Sequence, residues 1–237
     1  MSETLSAAAL DQLFISARTY NGYLDKPVSA EQRALIWDLM KMGPTSANCL
    51  PARLVWCVSD DAKEKLAACA AQSTADKIRS APVTVIIGMD MEFYEQLPEL
   101  FPHADARSWF VGNTPLADAT AFRNSSLQGA YFIMAARALG LDTGPMSGFD
   151  PDRVEAAFFA GTTVKANFIC TLGYGDAATI FPSLRAPVLT GLTQSSDLFS
   201  CGCLPLILRG RPVLSLCLKT APSSRTGMTG SAGGTRK

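Results

Sequence analysis

Two apolar runs rich in β-branched residues, "RLVWCV" at 53–58 and "PVTVIIGM" at 82–89, constrain this chain more than any other feature. They are of strand length and show no alternation of polar and apolar residues, so both of their faces need cover. A third strand is expected at "ANFICTLGYG", 166–175. The stretch "DDAKEKLAACAAQSTADKIR" between the first two reads as helix, and the longest helix is expected at about 115–139. Helices and strands follow one another in mixed order, without a regular βαβ repeat. The fold class predicted is therefore α+β, or three-layered, around a small and mostly antiparallel central sheet flanked by helices.

Local signals set several boundaries. Ser29 and Gln32 form a capping box, the hydroxyl accepting from a first-turn amide while the glutamine answers the backbone of Ser29. Leu35, Ile36, Leu39 and Met40 then recur at helical spacing, which predicts a helix over 30–42 with Gly43 as its stop. In the long helix, Leu116, Ala119, Phe122, Leu127, Ala130, Tyr131, Met134 and Ala135 are expected to face the interior, with Gly140 closing the last turn. Its small residues would let a second helix approach closely, as at a centre or an interface.

The 237 residues carry no net charge, but the charge is unevenly divided: residues 1–185 hold 15 Lys+Arg against 20 Asp+Glu, residues 186–237 hold 6 against 1. No dense basic stripe marks the body, which disfavours nucleic acid as a partner. "MSETLSAAAL" lacks the pattern of a secretory leader and no apolar run reaches bilayer length, so a cytoplasmic protein without membrane association is expected. The seven cysteines show no paired framework, and Cys201-Gly202-Cys203 has no second pair to complete a zinc site; buried structural thiols are expected. The domain boundary is placed at 187, with 188–237 an atypical, partly disordered tail of short apolar patches among Ser, Thr, Gly and Pro.

Three polar loops at the edges of these elements are candidates for chemistry. In "ARTYNGYLDKPV", 17–28, Arg18 is followed by Thr19, Tyr20 and Asn21, a fork and hydroxyls suited to a phosphate. In "GPTSANCLPAR", 43–53, Thr45, Ser46 and Asn48 compete with helical backbone and belong in irregular structure. In "DTGPMSGFD", 142–150, Gly144 and Gly148 let backbone approach a ligand, while Asp150-Pro151 reads as a helix start. Each loop alone also reads as an ordinary surface connection.

In this order, with "FPSLRAP" at 181–187, the loops resemble the nitroreductase family of flavoproteins over roughly residues 11–187. "HADARSWF", "AFRN", "SLQGAY", "AARALGLD", "GPMSGFD" and "LGYGD" are similar to its malonic semialdehyde reductase branch, known from bacterial pyrimidine utilisation. The resemblance implies a nitroreductase-like fold in a domain-entwined homodimer, with one FMN in each of two sites at the interface. By residue it implies cofactor contacts from Arg18, Thr19 and Tyr20; from Pro44, Thr45, Ser46 and Asn48 of the partner copy; from Pro145, Met146, Ser147 and Gly148 over the ring; and from Arg185. Two positions depart from the family: a lysine usual four residues after the first arginine is Gly22, and a second basic residue near Arg185 is Ser183.

The implied activity is reduction of a small carbonyl acid, malonic semialdehyde to 3-hydroxypropanoate, with NADH or NADPH as reductant and hydride carried by flavin N5, no side chain acting as acid or base. The absence of a G-x-G-x-x-G motif after a strand points to alternate use of one site, a ping-pong cycle. Arg107 and Arg123 are candidate partners of the substrate carboxylate. A nitroaromatic or quinone reductase of the same family, and a degenerate flavin-binding protein without activity, are the alternatives. One histidine, His103, and no G-x-S-x-G motif leave little for a serine hydrolase, and no metal site is expected.

Overall fold

The computed structural model describes residues 3–183. The chain divides after Leu184 into two units, and the described residues belong to the first. Arg185 and the expected tail at 188–237 lie outside them.

A short helix α1 (Ala7–Leu10) runs on as a π-helical turn, Asp11–Ile15. Then follow α2 (Ala30–Met40), β1 (Ala52–Cys57), α3 (Asp60–Ala67), α4 (Gln72–Ser80), β2 (Val83–Asp90), α5 (Leu97–Leu100), α6 (Thr114–Ala138), β3 (Asp142–Met146), α7 (Pro151–Phe158) and β4 (Val164–Gly173). The four strands form one sheet in the order β1-β2-β4-β3, antiparallel at every pairing. β2 lies at its centre, and the side chains of Val83 to Ile87 are all buried. One face, with Val83, Val85, Ile87, Cys170 and Leu172, packs on α2 and α6; the other, with Ile86 and Ile169, packs on α3, α4 and α7. This is the two-sided cover that the β-branched runs require.

The expected helix caps are present. Ser29 and Gln32 make the reciprocal capping box, and Asp150 accepts from the Arg153 amide with Pro151 at the first position of α7. Gly140 has a positive φ of 72° at the end of α6, where a left-handed residue is needed. The helical stretch after β1 is broken into α3 and α4 by a turn at Ala68–Ala71.

Three expectations are corrected. "DTGPMSGFD" is not loop throughout: Asp142–Met146 forms the edge strand β3 along β4, its register running from Asp142 opposite Gly173 to Met146 opposite Ile169. Gly43 does not act as a left-handed helix stop, since it is not among the residues with positive φ. Its small size is needed because a Cβ there would lie 2.1 Å from the Tyr131 ring. The third correction concerns α6, whose orientation is reversed. Leu116, Ala119, Phe122, Leu127 and Ala130 are exposed, Tyr131 and Met134 are half-buried, and of the expected set Ala135 is buried.

What faces inward along α6 is partly polar: Thr120, Asn124, Ser125 and Gln128 are buried together with Ala117, Ala121, Gly129, Phe132, Ala135 and Ala136. Helical spacing reports a stripe but not which stripe meets the core, and here bonded polar groups occupy the inward one. α2 buries Ile36 and Met40, while Leu35, Trp37 and Leu39, and Met42 just beyond its end, stay exposed.

The packing of α6 on β4 predicts the sign of one substitution. Gly129 to Ala in a helix interior ordinarily stabilises by about 0.5–1 kcal/mol. At this position the added Cβ would lie 2.3 Å from the Phe168 ring, and overpacking costs about 1–3 kcal/mol. Urea denaturation of Gly129→Ala is expected to show a net loss of stability.

Candidate functional site

The segment Gly43–Ala52 turns the chain from α2 into β1, and its backbone is held in an unusual form. Ala47, Asn48 and Leu50 have φ of 48°, 52° and 38°, the left-handed region, and among the described residues they are the only non-glycines with positive φ. Side chains disfavour that region by about 1–2 kcal/mol per residue, less for Asn. Such conformations persist when surrounding contacts over-determine them.

Those contacts come chiefly from α6. Asn124 Oδ1 accepts from the Ser46 amide at 2.9 Å, Gln128 Oε1 accepts from the Ala52 amide at 2.8 Å, and Tyr131 Oη donates to the Pro44 carbonyl at 2.9 Å. Positions 124, 128 and 131 lie on one helix face, so a single rigid element grips the elbow on both sides of its left-handed residues, near its beginning and at its end. Within the elbow, Thr45 Oγ1 accepts from the Leu50 amide at 3.3 Å, and Arg53 donates to the Leu50 carbonyl at 3.0 Å while pairing with Asp90 at 2.7 Å. Asn48 Nδ2 donates to the Leu100 carbonyl at 2.9 Å. Thr45 and Asn48 therefore serve the loop's own architecture, while Pro44, Ser46 and Asn48 remain exposed. Cys49 is sealed beneath, and burial pushes its thiol up to about 11, which leaves it protonated and inert.

The second group of expected residues gathers at the other edge of the sheet. Thr19 bridges Thr143 of β3, and the Tyr20 amide donates to the Thr143 carbonyl. Arg18 is half-buried and donates to the Phe181 carbonyl. The Tyr20 ring lies over Gly175, where a Cβ would come within 2.3 Å of it. Burial, then the nearby Asp142 carboxylate, raises the Tyr20 phenol above its ordinary range. Asp142, itself raised by burial, accepts from the Gly175 amide. The glycine at position 22 has a local reason: its amide donates to Thr179 Oγ1 at 3.0 Å, and a Cβ would lie 2.7 Å from the Thr179 methyl.

Pro145 and Met146 end β3, and the following residues cross to the α3–α4 junction. The Gly148 carbonyl accepts from the Ala71 amide at 2.9 Å and the Asp150 amide donates to the Cys69 carbonyl at 2.8 Å. Gly148 sits against Thr74, whose Oγ1 would be 2.5 Å from a Cβ. Gly148 is thus exposed yet pinned, and with the exposed Ser147 it lies on the rim of a cavity of about 380 Å³ that Cys69, Ala70 and Arg153 also line.

Arg18, Thr19, Tyr20, Pro145, Met146, Ser147 and Gly148 thus share one edge of the sheet, whereas Pro44, Thr45, Ser46 and Asn48 stand at the other. Three strand spacings of about 4.8 Å separate β1 from β3, or roughly 14 Å. The elbow meets the sheet at the Ala52–Met89 pair, while Thr19 lies level with the Val83–Leu172 pair, about 20 Å further along β2 at roughly 3.3 Å per residue. The elbow is also fixed to α6 on one face, and Gly148 to α4 on the opposite face.

The candidate substrate residues differ in engagement. Arg107 donates through Nε and one terminal nitrogen to both oxygens of Glu95, each at 2.8 Å, closing the excursion between β2 and α6. That pairing holds the Glu95 carboxyl below its usual range. Arg123 makes no hydrogen bond or ion pair among the described residues and lines an open cavity of about 550 Å³ on α6 with Ala119, Phe122, Ser126 and Leu127. His103 is exposed and meets the Phe101 ring edge-on at 5.4 Å. Among the described residues no cluster of metal-ligating side chains occurs, and no helix is long and apolar enough to cross a membrane.

The residues that sequence reasoning missed are Asn124, Gln128 and Tyr131. A signal existed: polar or hydroxyl-bearing side chains at i, i+4 and i+7 in a helix otherwise rich in alanine. Read as a stripe, it would have suggested a bonding face.

These observations define an α+β protein in which a sheet covered on both sides carries backbone-pinned polar loops at opposite edges. The chain belongs to the nitroreductase family, whose sequence profile matches residues 16–175. It is 62% identical over 184 residues to a Burkholderia lata protein named as a candidate NADH dehydrogenase/NAD(P)H nitroreductase, covering 78% of this chain and 93% of the relative. A Stenotrophomonas maltophilia protein with the same kind of name is 59% identical over 184 residues, covering 78% and 94%. The fold is also that of a Bacillus subtilis nitroreductase-like crystal structure, with a TM-score of 0.70, 20% identity, and coverage of 80% of this chain and 100% of that one. An Exiguobacterium sibiricum relative solved in complex with FMN gives 0.67 at 19% identity, covering 82% and 100%.

The elbow's backbone predicts a stabilising substitution. Ala47→Gly removes the Cβ from a left-handed residue and is expected to raise unfolding stability by about 1 kcal/mol. Chemical denaturation checks the sign, which is opposite to the ordinary effect of introducing glycine.

Proposed function

We propose that this chain is an FMN-dependent oxidoreductase, using NADH or NADPH to reduce a small carbonyl acid, and that it acts as a homodimer in the cytoplasm. The single observation that carries the reading is the separation of the polar loops to opposite edges and faces of one sheet. Loops so placed complete one site when a second copy brings its elbow against the Arg18 and Pro145–Gly148 edge of the first. The exposed apolar side chains of α2 and α6, among them Leu35, Leu39, Met42, Leu116, Phe122 and Leu127, supply surface for that association.

The residues present suit FMN. A flat, polar-edged group needs close backbone, and Ser147 and Gly148 are exposed peptide units fixed by their neighbours. A ribityl chain needs small donors and acceptors, which Thr19, Tyr20 and Ser46 offer, with Pro44, Thr45 and Asn48 shaping the elbow. A phosphate needs a cation, and Arg18 keeps guanidinium nitrogens beyond the one given to Phe181. At position 22, where the family's lysine lies near flavin N1 and O2, a side chain would displace Thr179, so that end of the ring is left to main-chain groups here.

When bound, FMN supplies the redox chemistry, taking hydride from the nicotinamide and delivering it to the acceptor in turn. The chain's own task is placement. Met146, Ser147 and Gly148 orient the ring through main-chain groups whose protonation does not change with pH, and the elbow closes the other side and excludes water. No described side chain is required to hold the transferred proton.

For the acceptor we infer malonic semialdehyde, reduced to 3-hydroxypropanoate, on the strength of the motifs shared with that branch. Arg123 is the better placed of the two candidates for its carboxylate, because Arg107 is already bidentate to Glu95. A second reading, reduction of nitroaromatics or quinones, is favoured by the apolar walls of the Arg123 cavity, Phe122 and Leu127, and by the names of the two relatives.

Purified protein is expected to be yellow and to bleach under NADH or NADPH without oxygen. Colourless protein that stays so after incubation with FMN and desalting would leave the non-catalytic alternative. Arg123→Ala is expected to raise KM for the carbonyl acid about tenfold, with little change for an uncharged quinone. Arg107→Ala should instead lower thermal stability while KM for the acid stays near wild type. Equal loss on acid and quinone in Arg123→Ala would remove the carboxylate contact.

A further inference from the structure

We propose that Gln128, Tyr131 and Asn124 are positioning residues for the FMN site, acting through the elbow rather than on the cofactor. This rests on the flavin reading above and gives a task to residues for which the resemblance implied none. Three observations carry it.

The elbow holds three non-glycine residues in the left-handed region within four positions, a form the backbone does not keep unaided. All three of the long-range bonds from α6 go to its main chain, at Pro44, Ser46 and Ala52, so they fix the path of the loop without engaging its side chains. Gln128 is fully buried, yet its Nε2 has no hydrogen-bond partner among the described residues. A buried amide with an unpaired donor is a poor packing residue compared with an apolar one of equal length. Its acceptor oxygen on Ala52 is what the position uses. Tyr131 is seated with matching economy, its ring packed into the space that Gly43 leaves and its hydroxyl thereby set on Pro44.

Most of the apolar core lies away from these bonds. Phe132, Ala135 and Ala136 of α6 meet Val85, Ile87 and Leu172 in a cluster that the elbow joins at its end, through Ala52. Release of the elbow should therefore loosen the cofactor site while the sheet and helices remain folded. The elbow would relax toward ordinary backbone conformations and withdraw Ser46 and its neighbours from the shape that the partner copy's flavin needs.

The test uses the full chain and three substitutions: Tyr131→Phe, which removes one hydroxyl and keeps the ring; Gln128→Met, which removes the acceptor at similar length; and Gln128→Glu, which restores an acceptor. FMN affinity is measured by quenching of free flavin fluorescence, the midpoint potential is measured at saturating FMN, and amide hydrogen exchange at Ala52 is followed in protein stripped of flavin. Gln128→Met is expected to weaken FMN binding about tenfold, the worth of one buried hydrogen bond, to shift the potential of the bound flavin, and to speed exchange at Ala52. Gln128→Glu should recover most of the affinity. Tyr131→Phe should weaken binding several-fold with an unchanged unfolding midpoint, and it keeps the test open if Gln128→Met does not fold.

Wild-type affinity and potential in both Tyr131→Phe and Gln128→Met would overturn the proposal, leaving the row as packing only. Loss of affinity tracking loss of thermal stability, with an unchanged potential, would overturn it too. Failure of wild-type protein itself to bind FMN would sink the underlying flavin reading; failure confined to the variants' predicted effects sinks only this inference.

Discussion

The grip of α6 on the main chain of Gly43–Ala52 is the constraint from which much of this architecture follows. A long helix normally turns its apolar side to the core, and here Asn124 and Gln128 are buried instead because each holds a peptide group that has no partner in regular structure. Unmade, the bond to Ala52 would leave a buried amide unsatisfied, at about 1–3 kcal/mol. Turning the polar residues inward forces Leu116, Phe122 and Leu127 outward. The same rotation that fixes the elbow thus produces an apolar exterior, so site construction and the surface available for association are coupled through one helix.

The sheet imposes a second constraint. Antiparallel order β1-β2-β4-β3 puts the first and third strands of the chain at opposite edges, and each edge strand leads to or from a polar loop. Among the described residues, the two halves of the proposed site stand at a distance that loop flexibility would not close. Backbone pinning at Ala71–Gly148 and Cys69–Asp150 on one side, and at α6 on the other, makes both halves rigid before any ligand arrives. Preorganisation of this kind suits the proposed function, in which the chain's contribution is orientation. The Arg107–Glu95 clasp follows the same logic, closing an excursion rather than leaving a free cation.

Much of the frame was legible from the chain alone. The β-branched runs gave three strands to within a few residues, because a run without alternation admits few other buried states, and the capping box at Ser29 marked the start of α2 to the residue. β3 was less legible. Its sequence, Asp-Thr-Gly-Pro-Met, has poor strand propensity, and it pairs as an edge because β4 offers a free side and Gly144 tolerates Thr171 and Tyr20 nearby. Gly43, read as a helix stop, and Gly22, read as a lost lysine, hid their structural reasons, since both are small on account of residues far along the chain, Tyr131 and Thr179.

By itself, the sequence determined the α+β class, the positions of the main strands and helices, the three polar segments and the family, because these depend on local propensity, hydrophobic period and ordered motifs. Tertiary structure alone decided which face of α6 is inside, which arginine is engaged and which is open, and that the polar segments divide between two edges of the sheet. The reason is physical: the partners of a buried amide or of a guanidinium are set by approach in space, and here the deciding contacts join Ser46 to Asn124, Ala52 to Gln128 and Pro44 to Tyr131 across more than seventy residues of chain.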